Sequence, residues 1–191
     1  MATLQDLFDS CRRIYKDMYE TMRLMAEEFA TRVKNGDWDP SITTYKFDIV
    51  VQYSLLQVAL ADFDFSRNEL IFIRDLTEQG DIVEYWNKGA RDSSERISWE
   101  DLYNADAIDL RKFLRASRSD ILDMSDEIVH VFEIMDALHT EHDYASLCEK
   151  SMFLLIHSLG MMDGEYTEEE KNEPNVILGV FDRIKQFTRS H

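Results

Sequence analysis

Glycine, proline, cysteine and positive charge are all scarce in this sequence, and each scarcity excludes something. Six glycines and two prolines in 191 residues fit no collagen-like, linker-rich or disordered class. At 191 residues the chain can bury a proper core, so a disulfide-stapled miniprotein is excluded, and Cys11 and Cys148, the two cysteines, share no CxxC spacing and read as free thiols of a reducing compartment. Basic residues number 21 against 38 acidic ones, a net charge of −17. That charge repels phosphate backbones and anionic lipid, so direct nucleic-acid binding is not expected. No apolar run reaches the roughly 18 residues of a membrane span. The longest, Phe47 to Ala61 and Ser151 to Met162, read as buried core helices. The first residues mix apolar and charged positions and offer no signal-peptide core; the expected location is cytoplasmic, with no membrane insertion.

What is present is helical periodicity. From Thr3 to Lys34, Leu4, Phe8, Cys11, Ile14, Tyr15, Met18, Met22, Met25, Phe29 and Val33 recur at the spacing of one amphipathic helix, stopped by Asn35 and Gly36. A second helix is expected from Thr43 to Ala61, apolar on nearly every face and therefore central. Ser66 followed by Glu69 is a capping box for the next helix, which Gly80 should break or bend. The polar stretch Gly89 to Arg96 reads as a loop, and Ser98 with Asp101 caps a short helix. Further helices are expected through Ile108 to Leu114, from Ser119 to Leu138, and from His142 to Met162. The last runs through Val176 to Phe187. No stretch alternates with a period of two. The whole, 1–191, reads as a single all-α domain, a bundle of about seven to eight helices. It comprises a long N-terminal helix over 3–34, a first hairpin over 44–88, connecting helices over 98–138 and a second hairpin over 142–188.

The two hairpins carry an internal repeat. At a shift of 101 positions Asp62 meets Asp163, Asp64 meets Glu165, Phe65 meets Tyr166, Ser66 meets Thr167 and Glu69 meets Glu170. In each copy an apolar helix ends in an acidic pair, an aromatic residue follows, and a hydroxyl cap opens a second helix. This pattern resembles the TerB-like (tellurite-resistance) family, whose signature is an apolar helix ending in A-D-G-x-apolar-[ST]-x-x-E on an internally duplicated all-α bundle. Here Phe63 stands where the family has glycine in the first copy, and Met162 stands for alanine in the second. The resemblance implies a non-enzymatic, cytoplasmic binding or scaffold module of the stress-response kind, with a protein partner.

Two readings of the repeated carboxylates stand. Capping and Asx turns account for these residue types without any ligand. Alternatively Asp62, Asp64 and Glu69, and in the second copy Asp163, Glu165 and Glu170, offer hard oxygen donors suited to calcium or magnesium. An EF-hand is excluded, because counting from Asp62 puts Arg67 at the glycine position and Ile73 at the glutamate position. Other chemistry finds little foothold. Glu127 and His130 have a Glu-x-x-His spacing but no second copy of it, and read as a surface glutamate with a half-buried histidine. His142 and Asp143, with His130 or His139 and Asp163, form the sparse outline of a metal-dependent HD-type phosphohydrolase. No phosphate-binding glycine loop and no nucleophile elbow occurs. His157 reads as a core histidine. The function from another class is an acidic decoy that occupies a basic partner, as a DNA mimic or secretion chaperone does.

Overall fold

The computed structural model describes residues 4–61, 65–92, 95–139, 143–162, 167–172 and 175–189, with Glu170 and 187–189 in backbone only, and every regular element among them is helical. Helix α1, Leu4–Arg32, buries the stripe the periodicity marks: Cys11, Tyr15, Met18, Met22, Met25 and Phe29. It ends where Asn35 and Gly36 take positive φ, 51° and 86°, and the Gly36 amide reaches back to the Ala30 carbonyl at 2.9 Å.

Helix α2, Pro40–Ala59, starts three residues before the expected Thr43. Proline at the first helical position lacks only an N–H that the first turn cannot use, and Asp39, held extended before it, accepts from the Ser41 amide. From Phe47 through the C-cap Leu60 every residue is buried, because α1, α3, α4, α6, α7, α8 and α9 pack around α2. Helices α3, Arg67–Leu76, and α4, Ile82–Asn87, follow, separated at Gly80 and capped by Ser66 and Asp81. Ser98 and Asp101 form the expected box on α5, Trp99–Asn104.

Helix α6, Ala107–Leu138, is one continuous helix of 32 residues, which corrects the expectation of a new start at Ser119. Neither glycine nor proline interrupts this span. Ser117 and Ser125 turn their hydroxyls onto the preceding turn, to Phe113 and Ile121 carbonyls at 3.0 and 2.7 Å, so these serines act inside the helix rather than at its cap. Helix α7 is Tyr144–Gly160, capped by Asp143. The short α8, Glu168–Asn172, and α9, Val176–Arg189, complete the chain. One contiguous apolar core draws on α1 through α7 and α9. No helix among the described residues is long and apolar enough to cross a membrane.

Two sequence readings change here. Helix α7 is buried on one side only: Leu147, Phe153, Leu154 and Met161 are about half exposed, at 55, 53, 53 and 46%. His157 lies on that same exposed side, not in the core. The apolar run around it is wider than the face that α1 and α9 cover.

Candidate functional site

The two halves of the repeat match in where the incoming helix ends and the outgoing one begins. Helix α2 is C-capped at Leu60 and α7 at Met161, and α3 begins at Arg67 and α8 at Glu168, each pair 101 residues apart. The outgoing elements then differ: α3 is ten residues long, whereas α8 is five and precedes a separate α9. In the first copy the Ser66 hydroxyl accepts the Glu69 amide at 3.2 Å, and the Glu69 carboxylate accepts the Ser66 amide at 2.6 Å. Glu69 is fully buried and engaged in this reciprocal cap. In the second copy the Thr167 carbonyl accepts the Lys171 amide at 3.2 Å. Asp62, Asp64, Asp163 and Glu165, and the side chain of Glu170, lie outside the described residues. Among the described residues no three His, Cys, Asp or Glu side chains converge to hold a metal ion.

The Glu-x-x-His pair is engaged elsewhere. Glu127 is the half-buried member, bonded to Lys46 of α2, while His130 is exposed with its ring edge-on to Phe29. This reverses the expected burial, because α6 turns position 127 toward α2. Of the HD outline, Asp143 accepts the Ser146 amide at 2.8 Å as the cap of α7, and His139 Nε2 contacts Glu28 of α1 at 2.9 Å; His142 and Asp163 lie outside the described residues. Both cysteines are free and buried, and burial raises both thiols away from the thiolate form.

The most perturbed acid is one that periodicity does not single out. Asp48 sits inside α2, fully buried. One carboxylate oxygen accepts the Gln79 and Gly80 amides, both at 2.8 Å, and the other accepts from the Tyr15 hydroxyl. Burial pushes its pKa up to about 7 against the pull of those backbone donors. One turn on, Gln52 accepts from the Ile82 amide at 2.7 Å and donates to the Thr77 hydroxyl at 2.8 Å and the Ile73 carbonyl at 3.2 Å. Thr77 closes the set by donating to the Gly80 carbonyl at 2.8 Å. Two side chains of the central helix thus satisfy the Gln79, Gly80 and Ile82 amides and the Ile73 carbonyl of the α3–α4 turn. Gly80 lies so close to α2 that a Cβ there would stand 2.5 Å from Asp48 Cβ and 2.7 Å from the Tyr45 carbonyl oxygen. This acid stitches a loop and faces no solvent.

Two accessible features remain. Leu147, Leu154 and Met161 recur at intervals of seven on the exposed side of α7, with Phe153 beside them. Between Tyr144 and Met161 the chain holds one carboxylate, Glu149, and it is paired with Lys185 of α9. The strip is therefore apolar and free of exposed acid on an acidic molecule. The second feature is a row of arginines on α6, Arg111, Arg115 and Arg118, whose i, i+4, i+7 spacing in a chain short of cations is a sequence signal that the apolar periodicity does not carry. Comparison of the chain with family models, with curated proteins and with solved structures finds no match.

Proposed function

We infer that this chain is a non-catalytic binding module that engages a protein partner through the exposed side of α7. The observation that carries the reading is the strip of Leu147, Phe153, Leu154 and Met161, each about half exposed on one rigid helix. A seven-residue interval drifts only about 20° per step on a straight helix, so these side chains present one seam, the kind that an apolar face of a partner helix packs against. The ionisable groups described above support the same view, since Asp48, Glu69 and Asp143 all satisfy backbone amides. A stress-response role of the TerB-like kind rests on the repeated motif and is supported by the shared register of the α2 and α7 ends. A cytoplasmic setting rests on the two free thiols and the charge pattern.

Site-specific photo-crosslinking in the source cell tests this. A photoreactive side chain at Leu154 is expected to give one discrete adduct, and the same probe at exposed Arg91 none. The second-site change Leu147→Asp should remove the adduct while leaving the melting temperature within about 1 °C, since the side chain is exposed and surface changes cost within about 0.5 kcal/mol. Equal labelling at both positions would refute the reading.

Charge favours a second reading, the acidic decoy. Even if all 21 basic residues paired with carboxylates, 38 − 21 = 17 acidic groups would lack a cation, and a basic partner would be drawn to them with an on-rate that falls steeply as salt rises.

A further inference from the structure

Helix α6 has another accessible flank besides its arginine row. Arg111 turns toward the end of α2, and at about 100° per residue the helix carries Asp109, Lys112, Phe113 and Ala116 round to the flank away from it. There, with Ile97 and with Leu102 of α5, they line a cleft of about 530 Å3. We propose that this cleft binds a small amphipathic amine, a molecule with one compact apolar body and one ammonium group.

The walls are apolar and are held by contacts that a ligand does not need. Leu102, 1% exposed, forms part of the wall from α5. Trp86 of α4 stacks on Phe113, with 5.6 Å between ring centroids and 26° between planes. Asn87 fixes Ile97 by accepting its amide at 2.9 Å and donating to its carbonyl at 2.7 Å. The space between α5 and α6 stays open because the lining there includes Ala105 and Ala116, whose side chains are too small to fill it. The volume falls within the roughly 300–1,000 Å3 of small-molecule sites, which are likewise mostly apolar with a few polar groups in fixed places.

Charge selects the ligand within that class. The cleft is lined by two carboxylates, Asp101 and Asp109, and one cation, Lys112. Lys112 is held by Asp109 at 2.6 Å, and one oxygen of Asp101 accepts the Ser98 amide and hydroxyl, both at 2.7 Å. From Glu100 to Asp109 the chain holds four acidic residues and no basic one. The polar lining is thus negative by one charge, on a molecule of net −17, so an ammonium is drawn in and a carboxylate is repelled. Phe113 offers an aromatic surface to the apolar body. The cleft shares no residue with the strip on α7, and the two readings stand or fall separately.

Titration of the full chain with phenethylamine, phenethyl alcohol and phenylacetate, followed by amide NMR shifts at constant ionic strength, tests the proposal. The three probes share one apolar body and differ in charge. Saturable shifts centred on Leu102, Ala105, Phe113 and Ala116 are expected. The amine should bind about threefold or more tighter than the alcohol, the effect of one exposed charge pair, and the acid should bind weakest. Ala116→Trp, at an exposed position of α6, fills the cleft and should abolish the shifts while circular dichroism stays unchanged. Asp109→Asn should erase the advantage of the amine over the alcohol, whereas Lys112→Gln, which releases Asp109, should enlarge it; a purely structural role for this ion pair would move both probes alike. No saturable shift with any probe, shifts that survive Ala116→Trp, or alcohol binding as tightly as amine would overturn the proposal. A Lys-Phe-Lys peptide that binds the cleft more than about tenfold tighter than the amine would assign it to a basic protein segment and overturn the proposal as well.

Discussion

Replacing Asp48 by asparagine should remove most of the pH dependence of this fold between pH 4 and 7. An unfolded aspartate titrates near about 3.9, whereas buried Asp48 titrates near 7. Between those values the folded state holds a proton that the unfolded state has released, so the unfolded state binds fewer protons and stability falls as pH rises. The contribution is fully present below about pH 4, declines by roughly 1.4 kcal/mol per pH unit, and is lost above about pH 7. A gap of about three units makes the ionised carboxylate cost about 4 kcal/mol relative to the neutral acid. Asparagine has the shape of the protonated acid: its oxygen can keep the Gln79 and Gly80 amides while its NH2 donates to the Tyr15 oxygen, as an acid hydroxyl would. Asp136 carries the same sign, since burial raises its carboxyl to about 6, so it shares the slope below that value and adds little above it. The interval from pH 6 to 7 is therefore weighted toward Asp48, and the difference between parent and variant cancels what Asp136 adds. Urea unfolding at pH 5, 6, 7 and 8 is expected to show Asp48→Asn near or below the parent at pH 5 and more stable at pH 8. The difference between the two proteins should grow by about 1 kcal/mol from pH 6 to 7. A difference independent of pH, or one that shrinks, would refute the assignment of a buried, protonated acid.

Two further outcomes follow from the same contacts. Gly80→Ala should cost about 3 kcal/mol or more, a fall in Tm of about 6–12 °C for a chain of this size, because the new Cβ meets α2 at 2.5 and 2.7 Å and withdrawing the loop pulls two amides from Asp48. Gly179→Ala, where nothing lies within 4 Å inside α9, should instead gain about 0.5–1 kcal/mol; calorimetry of the pair checks both, and a loss below about 1 kcal/mol at Gly80 contradicts the close approach. Ser66→Ala should cost about 1 kcal/mol through the lost cap, and calcium is expected to leave the parent's melting unchanged. A calcium-induced rise in Tm that Asp62→Asn with Asp64→Asn abolishes would establish the cation site in place of capping alone.

The helices and their caps were legible because they are set by local chemistry. Ser66 with Glu69, Ser98 with Asp101, and Gly36 after Asn35 each act within one turn of the chain, and local chemistry is what a sequence displays. Asp48 was not legible for the opposite reason. Its partners, Gln79, Gly80 and Tyr15, are about thirty residues away on two other elements, and nothing in the pattern of α2 separates a loop-holding acid from an ordinary charge. The scission expected at Ser119 failed because no glycine or proline interrupts the span and neighbouring Ser117 bonds its own preceding turn inside the helix.

The difference between the two copies of the repeat shows where sequence periodicity stops informing and packing takes over. Asp48 and Gln52 of α2 correspond by the 101-residue shift to Glu149 and Phe153 of α7. In the first copy both positions face the α3–α4 turn and are buried to hold it. In the second, Glu149 pairs with Lys185 of α9, and Phe153 faces solvent. A helix surrounded by seven others needs polar groups only where a loop presents orphan amides, and it can be apolar everywhere else. Helix α7 is no less apolar, yet no helix among the described residues covers its outer side. Core packing therefore explains the composition of α2, while the same composition in α7 exceeds what the core consumes. The surplus is Leu147, Phe153, Leu154 and Met161, and it is why the binding reading is placed on α7 rather than on the motif that first drew attention to the repeat.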